Sequence, residues 1–318
     1  MKQRITVFGS YVADLMCRTP HLPVPGETVK GSAFQMGAGG KGFNQAIAAK
    51  KVGADVVMVS KIARDPFGQI AIDMMNDLSM DTSHMIYSED RGTGVALIMV
   101  DENSSQNEIV VVPGACGEIT VEEVERCASL IRESTYLLVQ FEVNMDALYR
   151  AMEIAHEAGV RIVLNPAPYQ KVPDQLLAMV DIVTPNETET EGLTGICVDS
   201  EAAAGKAANV LHRKGIAEVA ITLGNRGVFI SSHGQQRLLP PFQVYAVDTT
   251  GAGDAFNGGL VAGIAEGMDI WQAAQFANAV AGLSVTRLGT SMAMPTREEV
   301  EQLLKKTLVG AGSISVEH

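Results

Sequence analysis

The chain has 318 residues, 47% of them hydrophobic, with 24 Lys and Arg against 37 Asp and Glu for a net charge of −13. That is too apolar for a disordered chain, and such acidity would repel a phosphate backbone, which argues against nucleic-acid binding but not against a local anion site built from backbone amides. Scattered cysteines without a C-x-x-C pair, scattered histidines without zinc spacing, and no run of about 18 apolar residues point to a cytoplasmic protein with reduced thiols and no membrane span.

Ile5-Thr6-Val7-Phe8 reads as a buried first strand closed by Gly9. Pro20 to Phe34 carries Pro20, Pro23, Pro25 and Gly26 and reads as an extended excursion without helical periodicity. Phe43 to Val52 reads as a helix and Asp55 to Ser60 as the next strand. Thr93 to Val100 and Glu108 to Val112 form a hairpin around a polar loop, foreign to a strand–helix alternation. Tyr136 to Gln140, Arg161 to Asn165, Asp181 to Thr184 and Ala217 to Leu223 are further strands. Helical windows at Met145–Glu157 and Ser200–Lys214 separate them, with apolar residues every three or four positions. An extended run, Phe242 to Val247, precedes an apolar helix from Ala255 to Ala265 and a later one from Trp271 to Val285.

This alternation predicts an α/β fold, a mostly parallel central sheet with helices on both faces. The two excursions pair into a small β-lid. With no linker, charge block or repeat, residues 1–318 form one domain, with lid segments at about 13–36 and 92–113 and a frayed tail over 310–318.

Gly37-Ala38-Gly39-Gly40-Lys41-Gly42 matches G-x-G-x-x-G but lies far beyond the first strand, so a dinucleotide fingerprint is poorly placed. A Walker A loop fails too, because Gly42 follows Lys41 where Ser or Thr belongs. What remains is a turn at a helix start, able to bring amides close to a polar ligand or merely to reverse the chain. Asp248-Thr249-Thr250-Gly251-Ala252-Gly253-Asp254 precedes the apolar helix. Small residues there leave N–H groups free for an anion, and Asp254 is either a proton acceptor beside it or an ordinary first-turn charge. Asn186 and Glu189, three apart after the strand at Asp181, either face a pocket or cap their own helix. Thr222-Leu223-Gly224-Asn225-Arg226-Gly227 holds a nucleotide or turns the chain.

Five segments in order, Gly9 to Asp14, Gly39 to Gln45, Asn165 to Pro168, Thr184 to Glu187 and Asp248 to Asp254, resemble the ribokinase-like (PfkB) family of carbohydrate and nucleoside kinases, its ribokinase branch above all. The resemblance covers nearly the whole chain. It implies an ATP-dependent kinase phosphorylating a primary hydroxyl of a small sugar, ribose or a relative. Asp254 is then the general base, and the amides of Gly251, Ala252 and Gly253 the anion hole. Asp14, Gly40, Asn44, Glu142 and Asp254 match substrate-binding positions. Asn186, Glu189, Thr222, Gly224, Gly227 and Asn278 match ATP-binding ones, with Glu189 holding magnesium through water. Asp248 and the carbonyls of Thr250, Ser284, Arg287 and Gly289 match a site for potassium, an activator. A homodimer through the lid follows by family analogy.

Val12 stands where ribokinases usually carry Asn, and Phe43 where a small residue is common. Losing the amide removes hydrogen bonds to one or two hydroxyls, each worth about 1 kcal/mol when buried. The resemblance therefore implies a kinase without fixing ribose as its acceptor. A nucleoside acceptor, with Val12 and Phe43 beside an apolar base, is the alternative. A non-catalytic sugar sensor is disfavoured by the intact Asp254 and glycine turn.

Overall fold

The computed structural model describes residues 3–104 and 106–312. In chain order the strands are β1 (Arg4–Phe8), β2 (Val12–Thr19), β3 (Ala33–Gly39), β4 (Asp55–Ala63), β5 (Met85–Ser88), β6 (Thr93–Asp101) and β7 (Asn107–Gly114). They continue with β8 (Tyr136–Gln140), β9 (Arg161–Asn165), β10 (Ile182–Val183), β11 (Glu218–Thr222), β12 (Val228–Ser232) and β13 (Gln235–Leu239). Helices α1 (Lys41–Lys51), α2 (Pro66–Asp77), α3 (Val121–Arg126), α4 (Ala128–Arg132), α5 (Met145–Glu157) and α6 (Asp174–Leu177) occupy the first part. The second part holds α7 (Glu187–Thr194), α8 (Glu201–Arg213), α9 (Ala252–Ala265), α10 (Ile270–Ser284) and α11 (Arg297–Gly312).

The nine-stranded sheet runs β13-β12-β11-β10-β9-β8-β1-β4-β5. All its pairs are parallel except β11 with β12 and β12 with β13, so the expected mostly parallel sheet is borne out with an antiparallel edge. Alternate residues feed two cores. Ile5, Val7, Val56 and Met58 pack with α1, α2, α9 and α10 on one face. Phe8, Val57, Leu137 and Val139 pack with α3, α4, α5 and α8 on the other. The chain leaves β1 toward β4 and later returns to β8 on the opposite side. In such a sheet ligands bind beyond the carboxyl ends at this switch of direction.

A separate four-stranded sheet, β3-β2-β6-β7, holds the expected hairpin. The Pro-rich stretch itself is not a strand. Its flanks, β2 and β3, pair antiparallel across a loop over 20–32. Pro20, Pro23 and Pro25 lack the N–H a ladder requires, which confines pairing to the residues around them.

Three other boundaries differ from expectation. Gly37 to Gly39 belong to β3, and α1 starts at Lys41 rather than Phe43. Phe242 to Val247 forms no strand; the N–H groups of Val247 and Asp248 instead share the carbonyl of Val285. Helix α9 begins at Ala252, three residues early, which puts Asp254 in its first turn behind Gly251 at φ 75°. Helix α11 continues to Gly312, and the rest of the tail expected to fray, 313–318, lies outside the described residues.

Candidate active site

The carboxyl ends of β8, β9 and β11 and the starts of α1, α7 and α9 meet above the sheet. Their closeness begins with small residues. A Cβ on Gly258 would sit 2.5 Å from the carbonyl oxygen of Gln45 and from the Ala48 Cβ, so only glycine lets α9 lie against α1. Asn44 and Gln45 thereby reach Asp254, one turn earlier on α9.

Asp254 is buried. Asn44 Nδ2 donates to its Oδ2 at 3.0 Å and Gln45 Nε2 to its Oδ1 at 2.9 Å. Burial pushes the carboxyl upward, while Lys41 and the two amide donors pull it down and Glu142 opposes them. Lys41 is held protonated chiefly by Asp254, with Glu142 and Glu189 adding to the effect. Its ammonium lies 4.0 Å from Glu142, which accepts from Ser10 Oγ at 2.6 Å and from the Lys41 amide at 2.9 Å.

A cavity of about 200 Å³ opens in front of Asp254, walled by Lys41, Asn186, Glu189, Thr222 and the turn Gly251 to Gly253. Among the described residues, the Gly251 and Gly253 N–H groups meet no backbone carbonyl, while the Ala252 N–H reaches back to Thr249 O at a long 3.2 Å. Two of the three expected amide donors are therefore free and the third is weakly engaged. Asn186 and Glu189 satisfy both readings of their spacing. They form a reciprocal capping box for α7, and both line the cavity. Burial raises the Glu189 carboxyl, partly offset by the Asn186 amide and Lys41.

The remaining expected residues divide. Gly40 is the N-cap of α1 at φ 88°, where a side chain would strike Val12 N at 2.9 Å. Gly224 and Gly227 also have positive φ, and they stand at the turn beyond Thr222 rather than in the cavity wall. Asn278 donates to Pro240 O at 3.2 Å, and Pro240 lines an apolar crevice of about 360 Å³.

Asp14 stands apart on β2. Its carboxylate accepts from Thr290 Oγ1 at 2.9 Å and borders a wider cavity of about 390 Å³ between the small sheet and the turns at Asp248–Thr250 and Gly289–Thr290. Burial pushes Asp14 up to about 6, with Glu142 and Asp254 adding to the rise and Thr290 opposing it. Asp248 ties those two turns together by accepting from the N–H groups of Thr250 at 2.9 Å and Gly289 at 3.0 Å. Ser284 closes α10, its hydroxyl donating to Ala281 O. The Arg287 guanidinium is turned away to pair with Glu299, which leaves only its carbonyl for a cation.

Sequence reading passed over Lys41, Gln45, Asn165 and Thr290, although three of them lie inside or beside quoted motifs. Their partners are distant in sequence, and only the fold shows them.

A buried carboxylate at a helix N-terminus, free amides beside it and an ammonium across the cavity form a place where an alcohol would be deprotonated next to a polyanion. Residues 2–297 match the model described as pfkB family carbohydrate kinase. The ribokinase of Haemophilus influenzae is 42% identical over 96% of this chain and 99% of its own length. The deoxyribokinase of Salmonella typhi is 36% identical over 94% of this chain and 98% of its own. The solved ribokinase of Arabidopsis thaliana, complexed with ribose and ATP, has a TM-score of 0.87 at 29% identity, covering 96% of this chain and 99% of its own. With the family matched along nearly its whole length, the chain belongs to the pfkB family of carbohydrate kinases and is a sugar kinase.

Proposed function

We propose that this kinase moves the γ-phosphoryl group of ATP onto a primary hydroxyl of a small sugar, ribose or a relative, with Asp254 as general base. The observation that carries the reading is Asp254 itself, buried in the first turn of α9 beside the free amides of Gly251 and Gly253. Phosphoryl transfer needs little covalent help from the protein, so positioning and charge neutralisation dominate. The acceptor hydroxyl hydrogen-bonds to Asp254. Asn44 Oδ1 is buried without a protein partner, an acceptor that a second sugar hydroxyl would satisfy. As the new O–P bond forms, the hydroxyl proton passes late to Asp254, because a carboxylate is far less basic than an alkoxide. The α9 N-terminus and the Lys41 ammonium take up the charge on the transferring group.

Among the described residues no cluster of three or more acidic, His or Cys side chains would cage a metal. Glu189, a carboxylate that lines the cavity apart from the base Asp254, fits magnesium that keeps its waters and binds mainly to phosphate. Glu189 and Asn186 would hold it through water, where it supplies charge neutralisation. The two turns joined by Asp248 fit potassium as an activator, taken by the carboxylate and the carbonyls of Thr250, Ser284, Arg287 and Gly289. Asp14, Gly40 and Glu142 stand on the sugar side, and Thr222, Gly224, Gly227 and Asn278 on the nucleotide side. The small sheet serves as a lid. Its outer face carries Phe34, Met36, Leu97, Val110 and Val112, each about half exposed or more, which supports a homodimer through two lids. Sedimentation of the purified protein tests that assembly.

ADP release across a panel of pentoses, 2-deoxypentoses, hexoses and nucleosides tests the central reading. Turnover with a free sugar supports it; turnover with nucleosides alone replaces the acceptor; no turnover with any acceptor removes it.

A further inference from the structure

Two glutamines without solvent contact lie behind the base. Gln45 and Gln140 are both fully buried. Buried amides are costly unless their hydrogen bonds are made, and the bonds these two make run in one direction. Gln140 Nε2 donates to Gln45 Oε1 at 2.7 Å. Gln45 Nε2 in turn donates to Asp254 Oδ1 at 2.9 Å and to Asn165 Oδ1 at 3.0 Å. A flipped Gln45 would set its oxygen against the carboxylate and its N–H groups against those of Gln140, losing every one of these bonds.

The same chain returns to the glycine turn. Asn165 Nδ2 donates to Thr184 O, Thr184 Oγ1 to Asn257 Oδ1, and Asn257 Nδ2 to Gly253 O at 2.8 Å. A ring of hydrogen bonds thus closes through the base and the residue before it. Two details show that the arrangement is held at a local cost. Gln140 Oε1 is buried with no partner. A Cβ on Gly9 would sit 2.1 Å from that oxygen and 2.9 Å from Gly42 Cα, so the glycine ending β1 makes room for the amide.

We propose that Gln45, oriented by Gln140, is a positioning residue that fixes the rotamer of the Asp254 carboxylate and favours its ionised, proton-accepting form. This deepens the reading of Asp254 as base and rests on it. An ionised carboxylate can only accept hydrogen bonds, and the ring presents only donors to it. The charged groups facing Asp254 are Lys41 on α1, which favours ionisation, and Glu142 after β8, Glu189 on α7 and Asp14 on β2, which oppose it. Burial raises the Asp254 carboxyl most, and the Gln45 and Asn44 amides, after Lys41, oppose that rise.

Gln45→Met keeps the shape and removes the donors. Its kcat should fall about 10- to 100-fold, the loss of a hydrogen bond to a charged group, with sugar KM within about threefold of wild type. The acid limb of its kcat profile should move up by about one pH unit. Gln140→Met should show the same signature at about 3- to 10-fold, and the double variant should be no worse than Gln45→Met alone. In the wild-type protein, the Gln45 side-chain amide signals in ¹⁵N NMR should shift with pH at the midpoint of the acid limb, and should stay still in Asp254→Asn. Should Gln45→Met not fold, Gln140→Met and the wild-type amide signals decide. Wild-type kcat, a fallen kcat with an unmoved acid limb, or an amide signal flat across pH overturns the proposal. The amide titration needs no turnover, so it separates this proposal from a failure of the kinase reading.

Discussion

Asp254, buried, and Asp14, half-buried, are both carboxylates bordering cavities, yet they rest on different supports. Asp254 belongs to a helix wedged between α1 and α10 by glycines, where a Cβ on Gly259 would come within 3.0 Å of Ala277. Both its oxygens are held by buried amides. Asp14 belongs to a four-stranded sheet whose own small core is Val12, Ala96 and Cys116, and one threonine hydroxyl from the main body reaches it. The contrast separates reactivity from recognition. On the reading proposed above, the chemistry stands on the dense core and the sugar contact on the small sheet, which side chains such as Thr290 and Ser291 tie to the main body.

The comparison breaks first at Asp254. Asp254→Asn keeps the shape and two acceptor lone pairs but loses the base, so kcat should fall about 10³-fold or more. Calorimetry should find ATP and sugar affinities close to wild type. Near-normal turnover in the folded variant would reduce Asp254 to a helix-terminus charge.

Asp14→Asn should do the reverse, raising sugar KM about 10- to 100-fold with kcat changed little, as expected for a charged hydrogen-bond acceptor lost from binding. Asp14 also makes a prediction about stability. Burial holds it at about 6 in the folded chain against 3.8 ordinarily, so between those values the folded state binds more protons than the unfolded one. Stability then falls as pH rises through that window, and the penalty is complete above it. Asp14→Asn should therefore raise Tm more at pH 7.5 than at pH 4.5. An equal gain at both values would mean that the carboxylate is not desolvated.

The same contrast governs what the sequence reveals. Strands of the main sheet are legible because their apolar runs are fully buried, and the glycine turns because positive φ restricts residue choice. The small sheet is legible as a hairpin but misplaced at its proline loop, since the pairing flanks look no different from other apolar runs. Asn186 and Glu189 are readable through local spacing, although that spacing serves capping and cavity at once. Gln45 with Asp254, 209 residues apart, and Thr290 with Asp14, 276 apart, have no local signature. Such contacts depend on how α1, α9 and the small sheet meet, which no periodicity encodes.

A smaller effect should come from the turns that link the two regions. Asp248 holds the Thr250 and Gly289 amides, and the neighbouring residues carry the free amides of the glycine turn on one side and Thr290 on the other. Potassium there should raise kcat several-fold over sodium at constant ionic strength. Asp248→Asn should erase the difference. Equal rates of the wild-type enzyme in the two salts would remove the cation site.

The smallest predicted change sharpens the recognition side. Val12 precedes Asp14 by two residues on β2, so both side chains leave the same face of the small sheet. It is buried against Ala96 and Cys116 and can neither donate nor accept a side-chain hydrogen bond. A sugar hydroxyl meeting it would lose its water without gaining a partner, at about 1 kcal/mol or slightly more, about fivefold in kcat/KM. An acceptor lacking that hydroxyl escapes the penalty, so a 2-deoxypentose should be used at least as well as ribose. Val12→Asn should move the ratio of kcat/KM values toward ribose by about fivefold, provided that the amide replaces the valine without disturbing the apolar cluster, which an unchanged Tm would show. An unchanged ratio at unchanged Tm would place Val12 behind the sugar site instead of in its wall, and selectivity would then rest on Asp14 and Asn44, since Phe43 is fully buried against Tyr11.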